Sequence, residues 1–247
     1  MVLKQSQTEL LRLVRIPAFS VTSLVLPIMF FAFFGLSGAN SPAFGTTVGK
    51  YLLASFCAYS ALSIALFSFG ASVAAERGTG ATTLMRAAPL RPVAYFVGKL
   101  VAALVFAAIA LIALIAFAEL AGGIRVGAFI LLQLVVRLLL GSIPFVLLGF
   151  AIGYLANINA AIAIINLTYL PLAFASGLFV PLAELPSFLQ RLAPFLPTFH
   201  FAQLGWNLFG AGSEPLGTAI IWLLGYAAAF LLVALRAYQR EERLKFT

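Results

Sequence analysis

Between two long apolar runs the chain reads AAERGTGATTLMRAAPLRPVAYFVGK over residues 74–99. The stretch gathers Glu76, Arg77, Arg86, Arg91 and Lys99 in a sequence of 247 residues of which only 9% are charged and 63% are hydrophobic. Soluble domains carry about 25% charged residues, and a mean hydropathy of +1.10 leaves too little polar surface for a water-facing globule. The composition is that of an integral membrane protein, and the quoted stretch is a polar connection between two segments that cross the bilayer.

Working outward from it, six runs are long and apolar enough to span, at about 17–36, 51–74, 100–118, 126–154, 160–180 and 216–235. A spanning helix needs roughly 20 apolar residues. The runs lack the ten-residue alternation of a barrel, and lipid leaves no other way to satisfy backbone polar groups. The expected fold is therefore all-α, one polytopic domain over 1–247 with six transmembrane helices. Residues 75–99 form its main polar loop and residues 180–215 a second long interruption.

Lysine and arginine placement sets the orientation. Lys4, Arg12, Arg15, Arg77, Arg86, Arg91, Lys99, Arg236, Arg240, Arg243 and Lys245 fall on one side, against Lys50, Arg125 and Arg191 on the other, with Arg137 inside a span. Both termini and the quoted loop are expected in the cytoplasm. The net charge of +8 belongs to this topology rather than to nucleic acid, since no basic and aromatic surface is formed. Cys57 lies alone in an apolar run and reads as a small buried hydrophobe. The first apolar run ends without a small-residue cleavage site, so no cleavable signal is expected; the pattern is compatible with a bacterial plasma membrane.

Ahead of the first span, Leu3, Leu10 and Val14 share one helical face while Lys4, Thr8, Arg12 and Arg15 share another. That spacing gives an amphipathic helix at the inner membrane interface, or else a solvated extension of the first span. Residues 180–215 carry Pro181, Pro186, Pro194, Pro197 and Pro215 yet remain rich in Phe and Leu. A segment too broken to cross and too apolar for an open loop predicts short re-entrant or capping helices on the outer side, with Trp206 at the interface. In the quoted loop, Gly78 and Gly80 allow a tight turn, ATTLMRAA suits a short helix, and Pro89 stops it.

Together these features resemble the membrane subunit of an ABC transporter of the type-2 exporter permease family. The resemblance rests on Glu76, Arg77, Gly80, Arg86, Pro89, Leu90, Tyr95, Gly98 and Lys99 in the loop between the second and third spans, and on SGLFVPLAELPSFLQRLAPFLPTF at 176–199 after the fifth. Ala81 stands where that family commonly has Thr. The resemblance implies that Glu76, Arg77, Gly80, Arg86, Pro89 and Arg91 belong to a coupling helix docking on a separate ATP-binding cassette subunit. It also implies that two permeases, identical or sister chains, pair around a central pathway. The chain has no phosphate-binding loop of the form G-x-x-x-x-G-K-[S/T], so it would bind no cofactor itself and leave ATP and Mg to that partner.

By the same resemblance the second and fifth spans face the partner permease. This points to Phe56, Tyr59, Ser60, Ser63 and Phe67, and to Asn166, Tyr169 and Phe174, as pathway lining suited to a hydrophobic or amphiphilic substrate such as a drug, an antibiotic or a lipid-like molecule. Helix packing explains the same residue types. Arg137 is the one charge well inside a span; it reads as a substrate-anion contact, a gating element, or a structural pair with Glu119, with Gln133 one turn away. His200 has no metal-type companions. A membrane enzyme lacks its residues here, since the chain has no Asp and one His, and an ion-coupled secondary transporter would call for intramembrane carboxylates or inverted repeats. A permease for lipid-linked polysaccharide shares the layout, with the loop and the proline-rich segment favouring the small-amphiphile branch.

Overall fold

The computed structural model describes residues 2–15, 17–79 and 92–245. The chain is almost wholly helical. An N-terminal helix α1 (Val2–Arg15) is followed by α2 (Pro17–Phe30), which widens into a π-helical turn over Phe31–Gly35. Gly35 permits that turn, because a Cβ there would stand 2.6 Å from the Phe31 ring. A hairpin of β1 (Pro42–Ala43) and β2 (Thr46–Thr47) leads into the long helix α3 (Val48–Gly78). Its two-residue turn places Phe44 at φ 52° and Gly45 at φ 78°, the primed geometry that matches strand twist. The Thr47 hydroxyl accepts the Lys50 amide and caps α3.

Next come α4 (Pro92–Gly122), the pair α5 (Ala128–Gly141) and α6 (Ile143–Leu155), α7 (Ile158–Ala175), the short α8 (Ser187–Leu192), α9 (Pro197–Trp206) and α10 (Leu216–Lys245). Among the described residues five helical stretches are long and apolar enough to cross a membrane: Val48–Gly78, Tyr95–Gly122, Ala128–Leu155, Ile158–Ala175 and Leu216–Glu241; the apolar helix Ser23–Gly35 is shorter. Helices run past the expected span ends at both edges of the polar loop. Residues 75–78 extend α3 and residues 92–99 belong to α4, so both edges of the expected 75–99 connection are helix. Its remainder, 80–91, with Gly80, Arg86, Pro89 and Arg91 and the expected short helix, lies outside the described residues.

α3 is the axis of the bundle. It is apolar on every side, which in a helix signals burial all round, and it packs on α2, α4, α6, α7 and α9. Its closest neighbour is α6, where Gly149 and Gly153 bring backbones together. A Cβ on Gly149 would sit 2.9 Å from the Leu66 carbonyl oxygen, and one on Gly153 would sit 2.9 Å from that of Gly70. The α5–α6 rod is jointed at Ser142, just ahead of Pro144, whose missing amide suits the first turn of α6.

α7 stops abruptly because Gly177 takes φ 87°, and the Leu178 amide returns to the Ala173 carbonyl at 3.1 Å. The proline-rich segment then forms short helices, as expected, and of the re-entrant and capping alternatives α9 follows the inserted one: every residue of Pro197–Trp206 is buried. Trp206, expected at the interface, is 3% exposed, stacks on Tyr51 at 5.0 Å and donates to Ser55 Oγ at 2.9 Å. The prolines do not break the insertion, since Pro197 occupies the first helical position and disrupts no ladder.

Overpacking a close helix crossing costs about 1–3 kcal/mol. Gly149→Val should lower the melting temperature of the purified protein accordingly, whereas Gly225→Ala, where an added Cβ meets nothing within 4 Å, should not. Equal melting temperatures for the two variants would show that the α3–α6 approach is not constrained by its glycines.

Candidate functional site

Where α1, α3 and α4 meet, charge is gathered out of water. Glu76, in the last turn of α3, is 2% exposed. Its carboxylate accepts from Arg12 of α1 and from the Tyr95 hydroxyl of α4, from Lys99 Nζ at 2.8 Å and from Ser72 Oγ at 3.1 Å. Lys99 also donates to Glu9 at 3.0 Å and to Ser72 at 2.7 Å. Two carboxylates and two cations thus form a neutral cluster with its hydrogen bonds shared among three helices. Pairing of this kind is what allows ions to be buried at all.

Glu76 therefore points inward, and a carboxylate so enclosed offers no surface to a docking partner. Arg77, the next residue, reaches the opposite way. It donates to the carbonyls of Gly153 at 2.7 Å and Ala156 at 3.2 Å, pairs with Glu241 of α10, and lies 5.5 Å over the Tyr154 ring. Cations are favoured at the carbonyl end of a helix, which Arg77 supplies for α6. Two adjacent residues thus tie the end of α3 to α1 and α4 on one side and to α6 and α10 on the other, immediately before residues 80–91.

The orientation of α1 follows from Glu9. Ser6, Glu9 and Leu13 form its buried face against α4, while Leu11 and Val14 are each 54% exposed. Leu10 packs partly against the core while Val14 stays exposed, as an interfacial apolar face allows, and the ion pair of Glu9 with Lys99 fixes which side of the helix meets α4. Glu9, Ser72, Tyr95 and Lys99 were absent from the expected site set. Glu9 is the one acid ahead of the first span and Lys99 a cation in the second turn of α4, a complementarity visible in the residues but separated by 90 positions.

Beside this cluster, α2, α3 and α7 enclose two grooves end to end. The first, about 440 Å³, is lined by Tyr59, Ser63, Phe67, Asn166 and Tyr169, with Arg12 and Ser72 at its charged end. The second, about 610 Å³, is lined by Phe30, Tyr51, Phe174, Phe179 and Glu184 among others. Between them lies a layer of rings. Tyr59 stacks on Tyr169 with centroids 5.6 Å apart and hydroxyls 3.1 Å apart, Phe179 meets Tyr59 at 5.0 Å and Phe30 at 5.3 Å, edge to face. Such pairs contribute about 0.5–1.5 kcal/mol beyond area burial.

The structure thus brings five of the eight expected lining residues to one groove and Phe174, 47% exposed, to the other. Phe56 is enclosed within the ring layer, and Ser60 is turned away, donating to the Ser23 carbonyl at 3.4 Å. Arg137 donates to Gln133 at 3.4 Å; the ion pairs among the described residues do not include Arg137 with Glu119, which is exposed at the end of α4. Glu214, just ahead of α10, is bonded to His200 Nδ1 at 2.7 Å, and His200 Nε2 meets the Pro194 carbonyl at 2.9 Å. His200 also stacks on Trp222 at 5.0 Å, so the single histidine is a satisfied structural group that seats α9 against α10.

A family model described as ABC-2 type transporter matches residues 5–205. YvfS of Bacillus subtilis (strain 168), which carries a transport-permease name, is 27% identical over 240 residues, 97% of each chain. YhhJ of Escherichia coli (strain K12), named an inner membrane transport permease, is 28% identical over 115 residues, 40% of this chain and 31% of that one.

Removing one member of a buried ion cluster costs about 3–5 kcal/mol, because its partners stay charged. Lys99→Met should destabilise the protein by that order in detergent melts. Adding Glu76→Gln should recover about 1 kcal/mol or more, since groups in one network couple by about 0.5–3 kcal/mol. Strictly additive losses would remove the Glu76–Lys99 pair as a source of stability.

Proposed function

Since the chain belongs to the ABC-2 type transporter family, we propose that it is the membrane-spanning permease of an ATP-driven exporter of hydrophobic or amphiphilic molecules. The observation that carries this reading is the pair of grooves along α2, α3 and α7, divided by rings and ending at the charged cluster. The first groove offers aromatic faces and a few hydroxyl and amide groups, the lining expected of a site that selects an amphiphile by shape and burial rather than by charge. Ions find no matching set of ligands there.

In this proposal both termini face the cytoplasm of a bacterial cell, helical residues 17–35 complete a sixth span ahead of the five longer ones, and the first groove opens inward. A second permease, identical or a sister chain, covers the α2 and α7 side so that two sets of grooves enclose one path. ATP and Mg are held by a separate ATPase subunit, which docks on residues 80–91. Those residues leave α3 directly after Glu76 and Arg77. A displacement of the docked loop is therefore passed to α1 and α4 through Glu76 and to α6 and α10 through Arg77.

Moving α3 relative to α7 separates Tyr59 from Tyr169 and joins the two grooves. Alternating access requires that the ATPase bind differently to the two arrangements, and the bridged base of α3 is the lever through which that difference acts. Substrate entering the first groove stacks against Phe67 and Tyr169 and presents polar atoms to Ser63 and Asn166. When the ring layer parts it passes to the second groove, whose lining is more apolar and whose mouth carries Glu184.

Two variants separate docking from passage. Arg86→Glu should at least halve copurification of the ATPase while leaving membrane insertion intact; undiminished copurification would remove the loop from docking. Asn166→Trp, which fills the first groove, should cut transport of an amphiphilic dye by tenfold or more in vesicles containing the permease and its ATPase, with ATPase association unchanged. Normal dye export by this variant would place the path elsewhere.

A further inference from the structure

Arg137 has no part in the proposed path. It sits on α5 nine residues below Ala128, and its groove is bounded by α5, α6, α9 and α10, none of which lines the first groove. The Arg137 groove, about 440 Å³, arises because the rod is jointed at Ser142 and α9 presses in beside Gly141. Its walls are aliphatic, with Leu140, Pro144, Ile220, Leu224 and Ala227 among them, and Leu140 and Leu224 face outward from the bundle. The cation is therefore at the bilayer side of the protein, in contact with a purely apolar trough.

Position and direction suit a particular neighbour. A helical rod of 28 residues is about 42 Å long, about 12 Å more than a hydrocarbon core of about 30 Å. If the excess is shared between the ends, the Arg137 backbone lies about 7 Å below the boundary, on the side away from the Glu76 cluster. The side chain reaches back one turn toward that boundary, where Nη2 meets Gln133 Oε1 at 3.4 Å. This is the snorkelling direction. Along α10 the groove covers residues 216–227, about 16 Å at helical rise, the depth of one leaflet.

We infer that Arg137 and this groove bind an anionic phospholipid in the leaflet remote from the Glu76 cluster, with the phosphate on the guanidinium and one acyl chain laid along α10 between Leu140 and Leu224. A guanidinium is weakly hydrated and presents forked donors suited to phosphate oxygens, and Gln133 adds an amide at the same level. No described acid competes for the cation, since Glu119 stands exposed at the end of another helix and the described ion pairs leave Arg137 out. The bound lipid would fill the joint between α5 and α6 and seal α10 to the bundle.

The test is native mass spectrometry of the full chain, titrated in detergent with phosphatidylglycerol and with phosphatidylcholine of the same acyl chains. Arg137→Gln should weaken phosphatidylglycerol binding by fivefold or more and leave phosphatidylcholine unchanged, while Arg137→Lys, which keeps the charge and loses the forked donors, should weaken it by less than Arg137→Gln does. Ile220→Trp, which occupies the groove, should weaken both lipids and serves as the test if Arg137→Gln fails to fold. Phosphatidylglycerol binding within twofold of the original for Arg137→Gln or for Ile220→Trp would overturn the inference. So would displacement by millimolar inorganic phosphate, which would make the site one for free anions. A change from dimer to monomer with lipid binding intact would overturn it as well, and assign the groove to a second copy.

Discussion

A carboxylate and an ammonium withdrawn from water at the foot of the central helix are the constraint around which the rest is arranged. Glu76 and Lys99 could not be buried separately at a tolerable cost, so α3 and α4 must meet at that level. Their remaining donors and acceptors recruit Glu9 and Arg12, which fixes the rotation of α1. The apolar surfaces of the helices would permit many sliding arrangements, because hydrocarbon chains of lipid and of leucine compete on nearly equal terms. Directional ion pairs and hydrogen bonds select one of them. Arg77 does the same on the far side with the carbonyl end of α6 and with Glu241.

The close packing of α3 on α6 is the complementary device. Glycines at 149 and 153 leave carbonyl oxygens of α3 within reach of the facing backbone, so the two helices can move only as one body. α7 meets α3 through rings and hydroxyls instead, with Tyr59 against Tyr169, and that contact can part without exposing buried backbone. The stiff and the compliant sides of α3 are thus chemically distinct. A permease needs that asymmetry: one side to carry a displacement, the other to yield to it.

Much of this was legible in the residues and some was not, for identifiable reasons. Hydropathy located five of the six expected runs as helices long and apolar enough to span, because the bilayer imposes a length and a solvent on each of them independently. It misjudged the ends around residues 75–99 because helices continue through the interface, where polar side chains are tolerated. The buried side of α1 could not be read from a helical wheel, which counts apolar residues, whereas Glu9 answers to Lys99, 90 positions away. The prolines of 180–215 signalled broken structure correctly but did not decide between helices that enter the bundle and helices that cap it, since Pro197 begins a helix as readily as it ends one. Tyr59, Ser63, Phe67, Asn166 and Tyr169 line one groove because α3 and α7 pack side by side; Phe56 and Ser60 differ from them in rotation about α3.

The insertion of α9 also bears on how the molecule is made. Trp206 bonds to Ser55 across 151 positions, and α9 is held in place by α10, which follows it in the chain. During synthesis, which proceeds from the N-terminus, one flank of the central helix therefore waits uncovered while some 150 further residues emerge, with Tyr51 and the Ser55 hydroxyl facing lipid or a chaperoning surface. Completion of the core is deferred to the late part of translation, so a ribosome stalled before α9 leaves a bundle whose axis is already made but still lacks its wedge.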